Sequence, residues 1–79
     1  MTGDDLKAAR QQLGEMWGFG RPVGYAELGR ILRFKDRDAG RAISFYESGK
    51  RAIPGPVSVA VQMMLKGVMP PDGLEGIKR

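Results

Sequence analysis

The chain contains no cysteine and no histidine. Without cysteine there are no disulfide staples and no thiolate metal sites, and nothing points to an oxidising compartment. Without histidine the commonest general base and the commonest metal ligand are both missing. Long hydrophobic runs are missing too. The longest mainly apolar stretch, Val57 to Leu65, falls far short of the roughly 20 residues needed to cross a bilayer. The opening residues Thr2-Gly3-Asp4-Asp5 lack the basic-then-apolar layout of a signal peptide. No glycine-rich run precedes a Lys-Ser or Lys-Thr pair, so there is no Walker-type phosphate loop, and Ser44, Ser48 and Ser58 have no histidine to activate them. These absences set the expectation of a cytoplasmic binding module with no catalytic activity, no cofactor, no metal, no evident small-molecule ligand and no membrane contact.

The 79 residues suffice for one small core, and 42% apolar with 28% charged residues is the balance of an ordinary folded domain. Lys and Arg number 13 against 9 Asp and Glu, a net charge of +4. With a pI near 9.9, this surplus favours a polyanionic or acidic partner.

Helical stops and starts divide the chain into four segments, so the predicted fold class is all-α. Thr2 and Asp5 form a capping-box pattern, and Leu6, Ala9, Leu13 and Met16 recur at helical spacing, which predicts a helix over 3–16. Three glycines and a proline between Trp17 and Gly24 break it. A second helix is predicted from Tyr25 to about Phe34, with Leu28, Ile31 and Leu32 facing inward. Gly29 inside it costs roughly 1 kcal/mol relative to Ala, which is tolerable where another helix approaches closely. A third helix is expected over 38–47, capped by Asp36 or Asp38 and stopped by Gly49. Its apolar stripe is Ala39, Ala42, Ile43 and Tyr46. A fourth is expected to follow from Pro56 to about Lys66 and to stop at Gly67, with Val57, Ala60, Val61, Met64 and Val68 as its core stripe. Residues 1–69 read as one domain and 70–79, opening on Pro70-Pro71, as a loose tail.

The third segment carries the functional reading. Arg37, Arg41, Ser44 and Ser48 are spaced four, three and four apart, so they share one helical face opposite the buried stripe. Gly40 and Phe45 flank it. Such a face is either a solvated surface or a major-groove reader, and Arg is the commonest reader of guanine. Residues 30–51 hold Arg30, Arg33, Lys35, Arg37, Arg41, Lys50 and Arg51 against Asp36, Asp38 and Glu47, a surplus equal to that of the whole chain. Positive charge gathered around one helix is the footprint expected of phosphate binding.

The order of these pieces resembles the helix-turn-helix domains of the phage-repressor and Cro-like (XRE-type) family. Leu6-Lys7-Ala8-Ala9-Arg10-Gln11-Gln12-Leu13-Gly14 resembles that family's first helix. Tyr25-Ala26-Glu27-Leu28-Gly29-Arg30-Ile31-Leu32 resembles its second helix, and Ile43-Ser44-Phe45-Tyr46-Glu47-Ser48-Gly49 resembles the close of its recognition helix. The matching pieces run from about residue 5 to residue 68. The links before Tyr25 and before the third helix are longer than the family's usual ones, and Arg33 stands where its tight-turn glycine is expected.

The resemblance implies a sequence-specific DNA-binding regulator, most simply a dimeric repressor on an inverted-repeat operator. Base contact then falls to Arg37, Gly40, Arg41, Ser44 and Phe45, and phosphate contact to Tyr25, Arg33, Lys35, Lys50 and Arg51. It also implies a structural pair between Arg10 and Glu47. Tyr25 has a second reading as a core ring, and Phe45 a second reading as partly buried or at a subunit contact. The Trp17–Arg21 stretch is either an arm that carries Arg21 to DNA or, the favoured reading, a loop whose aromatics cover the core. Val59 and Met63 fall outside the core stripe of the fourth segment, which suggests a homodimer contact. The rival reading reuses the same fold to bind RNA polymerase or another regulator.

Overall fold

The computed structural model describes residues 1–70. Among them are four helices and no strand: α1 (Gly3–Met16), α2 (Tyr25–Ile31), α3 (Asp36–Ser48) and α4 (Gly55–Leu65). The chain is therefore all-α, and no described helix is long and apolar enough to cross a membrane.

The first helix starts where its capping box dictates. The Asp5 N–H donates to Thr2 Oγ1 (3.1 Å) and the Thr2 N–H donates to Asp5 Oδ2 (2.9 Å). The second of these bonds holds the Asp5 carboxyl below its ordinary range. Leu6, Ala9 and Leu13 are buried, but Met16, predicted inward, is exposed. By Met16 the helix has reached its end, and Trp17 and Phe19 from the following loop pack on the core instead. Their rings lie 6.0 Å apart and tilted. The Val23 N–H donates to the Arg10 carbonyl (3.0 Å), so the loop folds back along α1 and delivers Val23 to the core.

Helix α2 ends at Ile31, earlier than the predicted Phe34. The reason is backbone conformation. Arg33 takes a left-handed φ of +67°, the Phe34 N–H donates to the Gly29 carbonyl (3.0 Å) and the Arg33 N–H donates to the Arg30 carbonyl (2.9 Å). This pair of bonds is a Schellman stop, which ordinarily uses glycine at the left-handed position. The arginine makes the same turn that a glycine would, against a steric cost of about 1–2 kcal/mol.

Helix α3 begins two residues before the predicted start. Lys35 is its N-cap and makes no side-chain capping bond, so the cap position precedes both Asp36 and Asp38, which fall within the first turn. It stops at Gly49, whose φ of +82° is left-handed. Ala39, Ala42, Ile43 and Tyr46 are all buried, as the stripe predicts. The close helix approach expected at Gly29 is present, since a Cβ there would run into the backbone of Ala39. Only glycine lets α2 and α3 cross at that separation.

In α4, with Pro56 in the first turn, Val61 and Met64 are buried and Val57 and Leu65 pack half-buried against the core. Val68 is exposed, contrary to its place in the predicted stripe. The helix has already ended, and Gly67 at φ +99° takes the chain out of helical phase before Val68. The tail expected over 70–79 lies outside the described residues except for Pro70, which is buried rather than loose.

Candidate nucleic-acid interface

Helices α2 and α3 pack closely at the Gly29–Ala39 crossing, and one face of α3 is turned outward. Arg37, Arg41 and Ser48 are exposed on that face and Ser44 is half-buried. The Ser48 hydroxyl donates to the Phe45 carbonyl (3.2 Å), which ties it to its own helix. Ser44 opens on a cleft of about 270 Å³ that it shares with Lys7, Tyr25 and Glu47. Gly40 does not sit on the open face as predicted. It is turned towards α2, where a Cβ would meet Ala26 at 3.5 Å.

Exposed cations flank the face at both ends. Arg33 and Lys35 precede α3, and Lys50 and Arg51 follow it. Phe45 is half-buried beneath the second pair, with Lys50 Nζ 5.4 Å and the Arg51 guanidinium 4.9 Å from its ring centre. Tyr25 is 44% exposed, so the core reading of its ring does not hold. The ring lies over the Arg10 guanidinium at 4.3 Å.

Arg10 is the hub behind this surface. Its Nη2 donates to Glu47 Oε1 (3.0 Å), its Nε donates to Glu47 Oε2 (2.5 Å) and its Nη1 donates to the Val23 carbonyl (2.9 Å). One guanidinium thereby joins α1, the loop before α2, the Tyr25 ring and the end of α3. The pair expected from the resemblance is present and buried, at 10% and 9% side-chain exposure.

A second ion pair escaped the sequence reading. Arg21 donates to both carboxylate oxygens of Glu27 (2.7 and 3.1 Å) and to the Pro22 carbonyl (2.9 Å), and lies 5.3 Å from the Phe19 ring. Glu27 also accepts from the Gly24 N–H (2.8 Å) and so caps α2 from the third helical position. The Arg21 hydrogen bonds depress the Glu27 carboxyl below its ordinary pKa against the opposing effect of burial, with the Gly24 N–H assisting. Arg21 is correspondingly held above its ordinary value. The 17–24 loop is thus fastened down and is not an arm. The available signal was a glutamate three residues beyond Gly24, the reach-back half of a capping box.

Among the described residues no group of His, Cys, Asp and Glu could hold a metal ion. A separate apolar groove of about 270 Å³ runs between α2 and α4, lined by Ile31, Leu32, Met63, Met64, Val68 and Pro70 among others. Of its lining residues Met63, Val68 and Met69 are about half exposed, at 48%, 49% and 50%, and Val59, one helical turn before Met63, is 55% exposed. Comparison with known proteins returned no match, whether to a protein-family model, a curated protein or a solved structure.

Proposed function

We propose that this protein is a sequence-specific DNA-binding regulator that inserts the exposed face of α3 into the major groove. The observation that carries the reading is the pairing of Arg37 and Arg41 on one open helical face with Arg33 and Lys35 at one end and Lys50 and Arg51 at the other. A groove-reading helix needs donors in the middle of its face and cations at the edges, where the phosphates run. Arg37, Arg41 and Ser44 take the base contacts. Tyr25, Arg33, Lys35, Lys50 and Arg51 take the phosphates. Binding at a promoter by such a module represses most simply by occupancy.

The apolar groove supports a second copy of the chain as its occupant. A stable interface buries about 800 Å² per partner, and the half-exposed side chains of Met63, Val68 and Met69 at the groove, with Val59 beside them on α4, supply its apolar centre. Exposed Gln62 and Lys66 provide a polar rim. The protein measures 29 × 25 × 22 Å, so two copies in contact suit half-sites about 34 Å apart.

Selection of bound sites from a random duplex pool, followed by titration of a selected site and random DNA, tests the reading. Arg41→Ala is expected to cost about 1–3 kcal/mol on the selected site and to relax one base position, while Lys50→Ala weakens all duplexes alike and flattens the salt dependence. Equal loss from both changes on both kinds of DNA would remove α3 as the reader. Met63→Glu should leave a folded monomer that keeps its half-site affinity and loses most of its affinity for a paired site. A sedimentation profile that is monomeric at every concentration before any substitution would end the dimer reading. Retention of a protein partner with no DNA binding would favour the interaction-module alternative.

A further inference from the structure

We propose that Phe45 is the platform of a two-cation seat for one DNA backbone phosphate, and that it reads no base. The inference rests on the DNA-binding reading and assigns Phe45 a role different from the base contact that its place on α3 suggests. Two cations converge on its ring, Lys50 Nζ at 5.4 Å and the Arg51 guanidinium at 4.9 Å. An aromatic ring attracts a cation over its face, so one side chain draws together two like charges that would otherwise separate. The backbone adds a third fastening, because the Arg51 N–H donates to the Phe45 carbonyl (3.3 Å). The loop after α3 is therefore folded back onto the helix at this residue.

Neither cation is paired with a carboxylate among the described residues, where Arg10–Glu47 and Arg21–Glu27 are ion pairs. Glu47, the carboxylate nearest in sequence to Lys50, gives both its oxygens to Arg10. A ring occupied by two cations has little free face for a thymine methyl, whereas two cations on one platform form a site that an anionic oxygen completes. Phe45 lies four residues, just over one helical turn or about 6 Å, beyond Arg41. With Arg41 at the base edges, the seat falls at the edge of the groove, where a backbone phosphate runs.

The test uses the full chain, a selected site, random duplex DNA and a salt series, with Phe45→Leu and Phe45→Trp. Phe45→Leu is expected to lower affinity about threefold to tenfold on both duplexes alike and to reduce the log–log salt slope by about one phosphate's worth. Phe45→Trp, which keeps the platform, should retain affinity and slope. In a Lys50→Ala, Arg51→Ala background, Phe45→Leu should have no further effect. A change in preference between the selected site and random DNA would make Phe45 a base reader and overturn the proposal while leaving the DNA-binding reading intact. Failure of the unsubstituted protein to bind any duplex would overturn both. A readout without substitution is the proton NMR spectrum of the free protein. The Lys50 Hε and Arg51 Hδ resonances should be moved upfield by the ring, and their appearance at ordinary exposed positions would overturn the platform.

Discussion

The two Arg–Glu pairs have the same chemistry and different environments. Arg10–Glu47 joins α1 to the end of α3 across 37 residues of chain, with both side chains about nine-tenths covered. Arg21–Glu27 closes a local span of six residues, and its arginine is 47% exposed while its glutamate is only 10% exposed. The first pair ties α3 to the body of the fold, and the second ties a connector to the start of α2. The contrast shows that bidentate geometry alone does not set the value of an ion pair. Burial decides how much is lost when one partner goes, because an abandoned charge in a covered site has no water to turn to.

The contrast breaks most severely at Arg10. Arg10→Ala or Glu47→Ala is expected to destabilise by about 3–5 kcal/mol, because each strands the other's charge. The double change should cost less than the sum of the single ones. Strictly additive shifts in denaturant midpoints would show that the two residues do not act as a pair.

Glu27→Gln sharpens the other side of the comparison. The loss is expected to be about 1–3 kcal/mol at neutral pH, from weakened bonds to Arg21 and the Gly24 N–H. The folded Glu27 carboxyl has a lower pKa than the unfolded one, near 4.5. Its contribution is therefore complete above that value and disappears as pH falls through the folded pKa. Denaturation curves between neutral and acid pH should show a shallower acid limb in Glu27→Gln than in the unsubstituted protein. Some slope should remain, because Asp5 is shifted in the same direction by the α1 capping box. An unchanged limb would deny Glu27 a titrating role.

The smallest effect is expected at Arg33, where the substitution acts on a left-handed backbone position. Arg33→Gly relieves the left-handed strain but loosens the unfolded chain, so the net gain should be no more than about 1 kcal/mol. If Arg33 also meets a phosphate, the same variant melts higher and binds DNA more weakly. A lower melting temperature would contradict the strain argument.

Much of the architecture was legible along the chain because it rests on local rules. The Thr2–Asp5 box, Gly49 and Pro56 mark helix ends through bonds or dihedral limits that involve near neighbours. The stripe of Ala39, Ala42, Ile43 and Tyr46 is a matter of helical period. The position of Arg10–Glu47 came from the family resemblance, since spacing cannot pair residues so far apart. Gly29 is intermediate: its cost in a helix signalled a close approach, but not that Ala39 is the neighbour.

The sequence by itself determined that the chain is helical, which stripes are apolar and where the positive charge gathers. Helix period, capping and composition are properties of neighbouring residues. Tertiary structure decided the rest. It ended α2 through a left-handed arginine, because the strain there is outweighed by the packing of the turn. It left Met16 and Val68 in solvent, because both helices stop before their stripes are complete, and it buried Pro70 beside the α2–α4 groove. It joined Arg21 to Glu27 when the 17–24 loop folded back on α1. It also placed Lys50 and Arg51 over Phe45, because the turn at Gly49 reverses the chain onto the helix it has just left.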